Sequence, residues 1–109
     1  MGEDSDAPGK GFDYWAGARG QGEYFDPILN VNGERRTLQR YSTDVLTDLA
    51  LDWLKERQEK PFFLYLSFKA PHYPFEPAPR HRGRYDQATV PYPPTMANTE
   101  QNYATQLDA

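Results

Sequence analysis

An uninterrupted run of apolar residues near the middle of the chain predicts a buried strand. Residues 62–68, the apolar run, are almost all aromatic residues or leucines, and Pro61 and Pro71 bound them. A short run of this composition is typical of a strand that is buried on both faces of a sheet. Ligands of α/β sheets bind beyond the carboxyl ends of such strands. His72 lies in that position, in a loop that repeated prolines make stiff.

The residues before the apolar run have the periodicity of a helix. Apolar side chains recur every three or four residues between Val45 and Leu54, which predicts an amphipathic helix over about 43–59. Ser42 or Thr43 is suited to cap its start. A proline follows its end and stops it.

Three further segments complete the predicted organisation. The pair Asn32-Gly33 predicts a β-hairpin over about 28–38, because both residues tolerate the positive φ angles of a type I′ turn. Proline spacing predicts an extended histidine loop over 69–80. A polar, loose tail is expected over about 95–109.

These elements do not form a complete sheet. A strand that is apolar on both faces needs strands on both sides and helices above and below. The chain supplies one main helix, one buried strand and one polar hairpin. We therefore expect an α/β fold of which this chain is an internal fragment, with the rest of the sheet in other parts of a larger protein.

Composition narrows the function classes. A chain of 109 residues holds one small domain at most. Its formal net charge of -4 argues against a general nucleic-acid binder, and the absence of cysteine excludes disulfides, thiolate metal sites and a cysteine nucleophile. No apolar run approaches the ~18 residues of a membrane span. The acidic N-terminus lacks the pattern of a signal peptide, and the compartment is left open.

Motifs along nearly the whole chain resemble the sulfatase family of the alkaline-phosphatase superfamily. In order, they are Gly11-Phe-Asp-Tyr-Trp15, Gly20-Gln-Gly-Glu-Tyr24, Asp26-Pro27, Asn32-Gly33, Tyr41-Ser-Thr-Asp44, the apolar run with Lys69-Ala-Pro-His72 and Pro74, and Pro91-Tyr-Pro-Pro-Thr-Met-Ala-Asn98. The last is similar to members of the N-acetylglucosamine-6-sulfatase and mucin-desulfating type. Met1-Gly2 resembles the end of the family's G-K-W-H-[L/M]-G motif, which suggests a gene fragment or a reading frame opened at an internal Met.

The resemblance implies a partial alkaline-phosphatase-like fold and a parent enzyme that hydrolyses sulfate esters of sulfated sugars such as glycosaminoglycans. Sulfatases use a formylglycine, made from a Cys or Ser in a C/S-x-P-x-R motif, and a calcium ion held by acidic and amide side chains. This chain contains neither the motif nor the family's metal ligands. Ca²⁺ and formylglycine are therefore expected of the intact parent only, and the chain alone is expected to be inactive. Family members are commonly secreted, periplasmic or lysosomal.

Carried onto this sequence, the resemblance makes His72 the candidate catalytic residue. It matches the family's H-x-P histidine, which lies near the sulfate and the leaving oxygen. Lys69, Arg80 and His81 are candidate substrate-binding residues, since cations attract an anionic sulfate. The competing interpretations are a loop histidine bonded to a backbone carbonyl, a lysine that reaches solvent and a solvated basic turn.

Two other functions stay open on the sequence alone. Ten prolines and an aromatic content of 15% also suit a binding module without catalysis. A phosphodiesterase of the same superfamily would share the fold, and a threonine nucleophile in place of formylglycine would distinguish it.

Overall fold

A computed structural model describes residues 5–56, 60–97 and 99–104, and it divides into two compact units after Pro79. The first unit contains a three-stranded antiparallel sheet of order β1-β2-β3 and one long helix. The elements are β1 (Ala16–Gly17), β2 (Ile28–Val31), β3 (Glu34–Thr37) and α1 (Ser42–Glu56).

The predicted hairpin forms between β2 and β3. Val31 pairs with Glu34 and Ile28 with Thr37, so the connection is the two-residue turn that the sequence predicts. Asn32 has a φ of 51° and Gly33 a φ of 101°, the positive values that such a turn requires. The strand ends at Thr37, one residue before the predicted limit.

Helix α1 forms where the apolar periodicity predicts it. Its buried residues include Val45 and Ala50, and its observed end at Glu56 leaves the predicted residues 57–59 outside the described part of the chain. The predicted cap is wrong. Within the described residues, the buried hydroxyls of Ser42 and Thr43 have no hydrogen-bond partner. The first turn is instead anchored through its backbone, since the amide of Ser42 donates to Tyr24 O at 2.8 Å.

The prediction of a buried strand over 62–68 is also wrong for this structure. Residues 61–69 carry no strand pairing, and the apolar run is exposed, with Phe63 and Tyr65 each 75% accessible. Exposure alternates along it, because Leu64, Leu66 and Phe68 are each only about 40% accessible. The physical reason is the absence of a neighbour. A strand buried on both faces needs a neighbouring strand at each edge and a helix over each face, and the sheet of the described residues contains only β1, β2 and β3.

The core of the first unit is small and lies between the sheet and α1. Its most buried side chains are Tyr24, Pro27, Leu29, Val45, Ala50 and Ala78. Asp6 extends this core on the N-terminal side. Its buried carboxylate accepts hydrogen bonds from the Arg35 guanidinium at 2.6 and 2.8 Å, and its backbone carbonyl accepts one from Trp15 Nε1 at 3.0 Å. This clasp ties the N-terminal segment to β3.

The second unit consists of consecutive turns and short helical segments. Backbone hydrogen bonds close turns over 81–88, a 3-10 helix covers Pro94–Met96, and α2 covers Glu100–Tyr103. Thr99 caps α2, and the side-chain amide of Asn102 donates to Pro94 O and Ala97 O. The segment predicted as a loose tail thus contains these short helical segments, whereas residues 98 and 105–109 lie outside the described part. Among the described residues, no helix combines the length and apolar character needed to cross a bilayer.

Candidate functional site

The histidine loop places His72 where two tight turns meet. The His72 amide donates to Lys69 O at 2.8 Å, and the His72 carbonyl accepts from the Phe75 amide at 3.0 Å. Phe75 has a φ of 62°, which a residue with a bulky side chain rarely adopts. Such backbone strain persists only where surrounding contacts hold it, and it is common at functional sites.

The His72 ring is exposed, and one of its nitrogens has a fixed partner. Nδ1 lies 2.8 Å from Tyr73 O. Because a carbonyl oxygen only accepts, Nδ1 carries the proton and donates it. The neutral ring then presents Nε2 as an unprotonated nitrogen, and protonation converts Nε2 into a donor. The backbone contact of the competing interpretation is thus present, and it engages Nδ1 rather than Nε2.

Lys69 and His72 are linked through one tyrosine. The Lys69 ammonium lies 5.1 Å from the centroid of the Tyr24 ring and donates to Gln21 O at 3.4 Å. The Tyr24 hydroxyl donates to the carbonyl of His72. A half-buried lysine over an aromatic face differs from the solvent-reaching lysine of the competing interpretation, since the ring attracts the cation.

Arg80 and His81 belong to the second unit. Both are exposed, and they stand in a 3-10 turn over Pro79–His81 that begins the basic segment. The His81 carbonyl accepts a hydrogen bond from the Arg84 amide at 3.3 Å. This exposure is compatible both with a solvated basic turn and with side chains that bind an anion.

Two tyrosines of the family motifs, Tyr24 and Tyr41, contact the histidine loop, and their sequence positions alone predicted no role for them. Tyr24 and Tyr41 stack with ring centroids 6.0 Å apart and an interplanar angle of 19°. Tyr41 donates its hydroxyl proton to Glu76 O at 3.0 Å. In the sequence, Tyr24 precedes the hairpin and Tyr41 follows it, which was the one sign that the two side chains could meet. Sequence periodicity does not show which distant carbonyl group a tyrosine hydroxyl contacts.

One cavity among the described residues has Lys69 in its lining, whereas His72 is not one of the residues that line it. It has a volume of about 950 Å³ and is lined by α1, the glycine-containing segment 11–23 and residues 60–69. Leu46, Leu49 and Trp53 of α1 face it together with the apolar run. Polar side chains, among them Asp13, Glu23 and Lys69, also line it, so the cavity is not a purely apolar gap in the core.

Comparison with known proteins decides the family. The family model described as Sulfatase matches residues 1–109. The chain belongs to the sulfatase family. An N-acetylglucosamine-6-O-sulfatase of Bacteroides thetaiotaomicron is 37% identical over 91 residues, which cover 80% of this chain and 16% of the relative. The N-acetylglucosamine-6-sulfatase of Capra hircus is 32% identical over 87 residues, which cover 74% of this chain and 16% of the relative.

A solved structure shares the fold of this sulfatase chain. It shows a protein in complex with its substrate, D-glucosamine-2-N,6-O-disulfate, at 36% sequence identity and a TM-score of 0.74 over 82% of this chain and 19% of that one. The predicted mixed α/β, alkaline-phosphatase-like class is therefore confirmed, as is the assignment to sulfuric ester hydrolases by family. The chain spans about a sixth of the length of the curated relatives given above, at 16% of each.

The cofactors that the family resemblance implies do not fit the residues described. No cysteine and no serine of an S-x-P-x-R motif occurs in the sequence. In residues 5–56, 60–97 and 99–104, no group of three or more His, Asp or Glu side chains converges as a metal site would require. We therefore derive no chemical step through calcium or formylglycine from this chain.

Proposed function

We propose that this chain forms one wall of the active site of a longer sulfatase that hydrolyses sulfate esters of sulfated sugars. The observation that carries the proposal is the match of the family to the whole chain, including the loop that carries the exposed residue His72. The names of the relatives support a sugar sulfate as the substrate class. The nucleophile and the calcium site belong to other segments of that longer protein.

His72 acts on the sulfate group in this proposal. Charge develops on the sulfate oxygens and on the leaving oxygen in the transition state, and a positioned imidazolium stabilises either one. The Nδ1 hydrogen bond to Tyr73 O holds the ring, so Nε2–H is the donor toward the substrate. Lys69 adds positive charge beside the loop, and Arg80 and His81 contribute to binding of the sulfated sugar.

A hybrid enzyme tests the proposal. The segment of the Bacteroides thetaiotaomicron relative that matches this chain is replaced by the residues of this chain, and hydrolysis of a 6-O-sulfated N-acetylglucosamine is measured. We expect His72→Ala to lower kcat roughly 100-fold or more, as expected for loss of a general acid or oxyanion donor. Arg80→Ala and His81→Ala should raise KM with little change in kcat, since they remove binding that substrate and transition state share.

Gln87→Ala, a change at another exposed position, is the control and should leave both constants unchanged. A hybrid that turns over equally well with and without His72 would exclude the histidine from the mechanism. The isolated chain should show no sulfatase turnover, and measurable turnover would contradict the assignment of the nucleophile to other segments.

A further inference from the structure

Two tyrosines hold the histidine loop through hydrogen bonds to its backbone carbonyl groups. Tyr24 donates its hydroxyl proton to the carbonyl of His72, and Tyr41 donates to the carbonyl of Glu76. These bonds join residues that are 48 and 35 positions apart in sequence. The rings of this tyrosine pair stack on one another, and Tyr24 is only 4% accessible.

Hydrogen bonds join the two segments that carry the tyrosine pair. Phe25 and Tyr41 form an antiparallel bridge, and Asp26 and Arg40 are joined twice. The Asp26 amide donates to Arg40 O at 2.9 Å, and the Arg40 amide donates to Asp26 Oδ1 at 2.8 Å. The Tyr41 carbonyl accepts from the Val45 amide at 3.1 Å, which begins α1. The pair is therefore fixed to the start of the helix and to the segment leading into the hairpin.

The contact to His72 bears directly on the orientation of its ring. The His72 carbonyl accepts one hydrogen bond from the Phe75 amide and one from Tyr24, which together use both of its lone pairs. This fixes the peptide plane between His72 and Tyr73. The Tyr73 carbonyl is the acceptor for His72 Nδ1. The Tyr24 hydroxyl thus orients the His72 ring indirectly, through the backbone between His72 and Tyr73.

Tyr24 also holds the second residue of the site. Its ring face lies 5.1 Å from the Lys69 ammonium. Burial raises the pKa of Tyr24 above its ordinary value of 10, so the hydroxyl remains a donor throughout the neutral range. One side chain therefore offers a hydroxyl to His72 and a ring to Lys69.

We propose that Tyr24, supported by Tyr41, is the positioning residue that sets His72 and Lys69 in a common geometry. The catalytic consequence rests on the proposed function, whereas the positioning itself is a property of the chain. The tyrosine touches no reacting atom in this proposal and acts through the backbone of the loop.

The test uses the full 109-residue chain labelled with ¹⁵N and NMR spectra of its two histidine rings. We expect His72 to show one tautomer, with the proton on Nδ1, while the exposed ring of His81 serves as the internal reference. Tyr24→Phe should average the His72 tautomers and speed hydrogen exchange at the Phe75 amide by about tenfold, as expected for loss of one hydrogen bond. Tyr24→Leu should in addition release Lys69, which is detected as loss of the ring-current shift on its side-chain protons.

Tyr65→Phe is the matched control, because it also removes one hydroxyl, from a residue that is 75% accessible. It should leave the His72 ring unchanged. The inference is overturned if Tyr24→Phe gives the same His72 spectrum as the unaltered chain. It is equally overturned if the neutral rings of His72 and His81 show the same mixture of tautomers in the unaltered chain.

The hybrid enzyme separates this inference from the proposed function. Tyr24→Phe should lower kcat about tenfold with KM changed less than twofold, and it should add nothing when His72 is already alanine. A strong effect of His72→Ala with no effect of Tyr24→Phe would defeat the positioning role alone. No effect of His72→Ala would defeat the proposed function, and the NMR spectra would still decide the positioning role.

Discussion

At the scale of single residues, Asp6 controls how the N-terminal segment is attached. Hydrogen bonds from Arg35 lower the pKa of this carboxyl group from 3.8 to about 2 against the opposing effect of burial, and Arg19 lies 3.7 Å away on the same side. A group whose pKa is lower in the folded chain stabilises that chain above its unfolded pKa. This stabilisation is lost as the pH falls from about 4 toward 2.

We expect unfolding at acidic pH to reveal this residue. The free energy of unfolding is measured by urea titration from pH 5 to pH 2.5. In the unaltered chain it should fall as the pH drops below about 4. Asp6→Asn should lower stability at pH 5 and flatten the dependence on pH, because the titrating carboxylate is gone. Glu23→Gln removes an exposed carboxylate near Asp6 and should keep the slope. An unchanged slope in Asp6→Asn would refute the role of the clasp.

At the scale of elements, the first two residues of β2 differ strongly in burial. Leu29 is 2% accessible and faces the core, whereas Ile28 is 56% accessible on the opposite face. Leu29→Ala should lower the free energy of unfolding by about 2 kcal/mol or more, since it removes buried methyl groups and leaves a cavity. Ile28→Ala on the same strand should cost less than about 1 kcal/mol. Equal costs in thermal or urea unfolding would show that β2 is not packed as described.

The elements also show what sequence can predict. The hairpin follows from Asn32-Gly33 and α1 from its apolar spacing, because the partners of both lie within a few residues. The cap at Ser42 failed because tertiary contact with Tyr24 O anchors the helix start instead. The strand over 62–68 failed because its burial depends on neighbours that local pattern does not supply. A motif singled out His72, whose role stays a prediction, whereas the phenol that contacts its carbonyl could not be predicted, since that contact spans 48 residues.

At the scale of the whole molecule, we expect the exposed apolar run to promote association between copies of the chain. Exposed, unpaired apolar segments favour association with other chains. We expect sedimentation velocity to show association that increases with concentration and is reduced by Phe63→Lys. Tyr85→Lys is the control, because Tyr85 is equally exposed, at 75%, but lies outside the run. Equal association of the two variants would show that general apolar exposure, not the apolar run, drives it.

The two tryptophans give this small sulfatase chain a pair of optical probes that report on different places. Trp15 donates its indole proton to Asp6 O, and Trp53 meets Phe62 edge-on with ring centroids 5.4 Å apart. The first indole senses release of the N-terminal segment, and the second senses movement of the apolar run away from α1. Replacing either one by phenylalanine leaves a single tryptophan, which can be excited selectively over the eight tyrosines. Intrinsic fluorescence can thus follow the release of the N-terminal segment and the movement of the apolar run separately, without any added label.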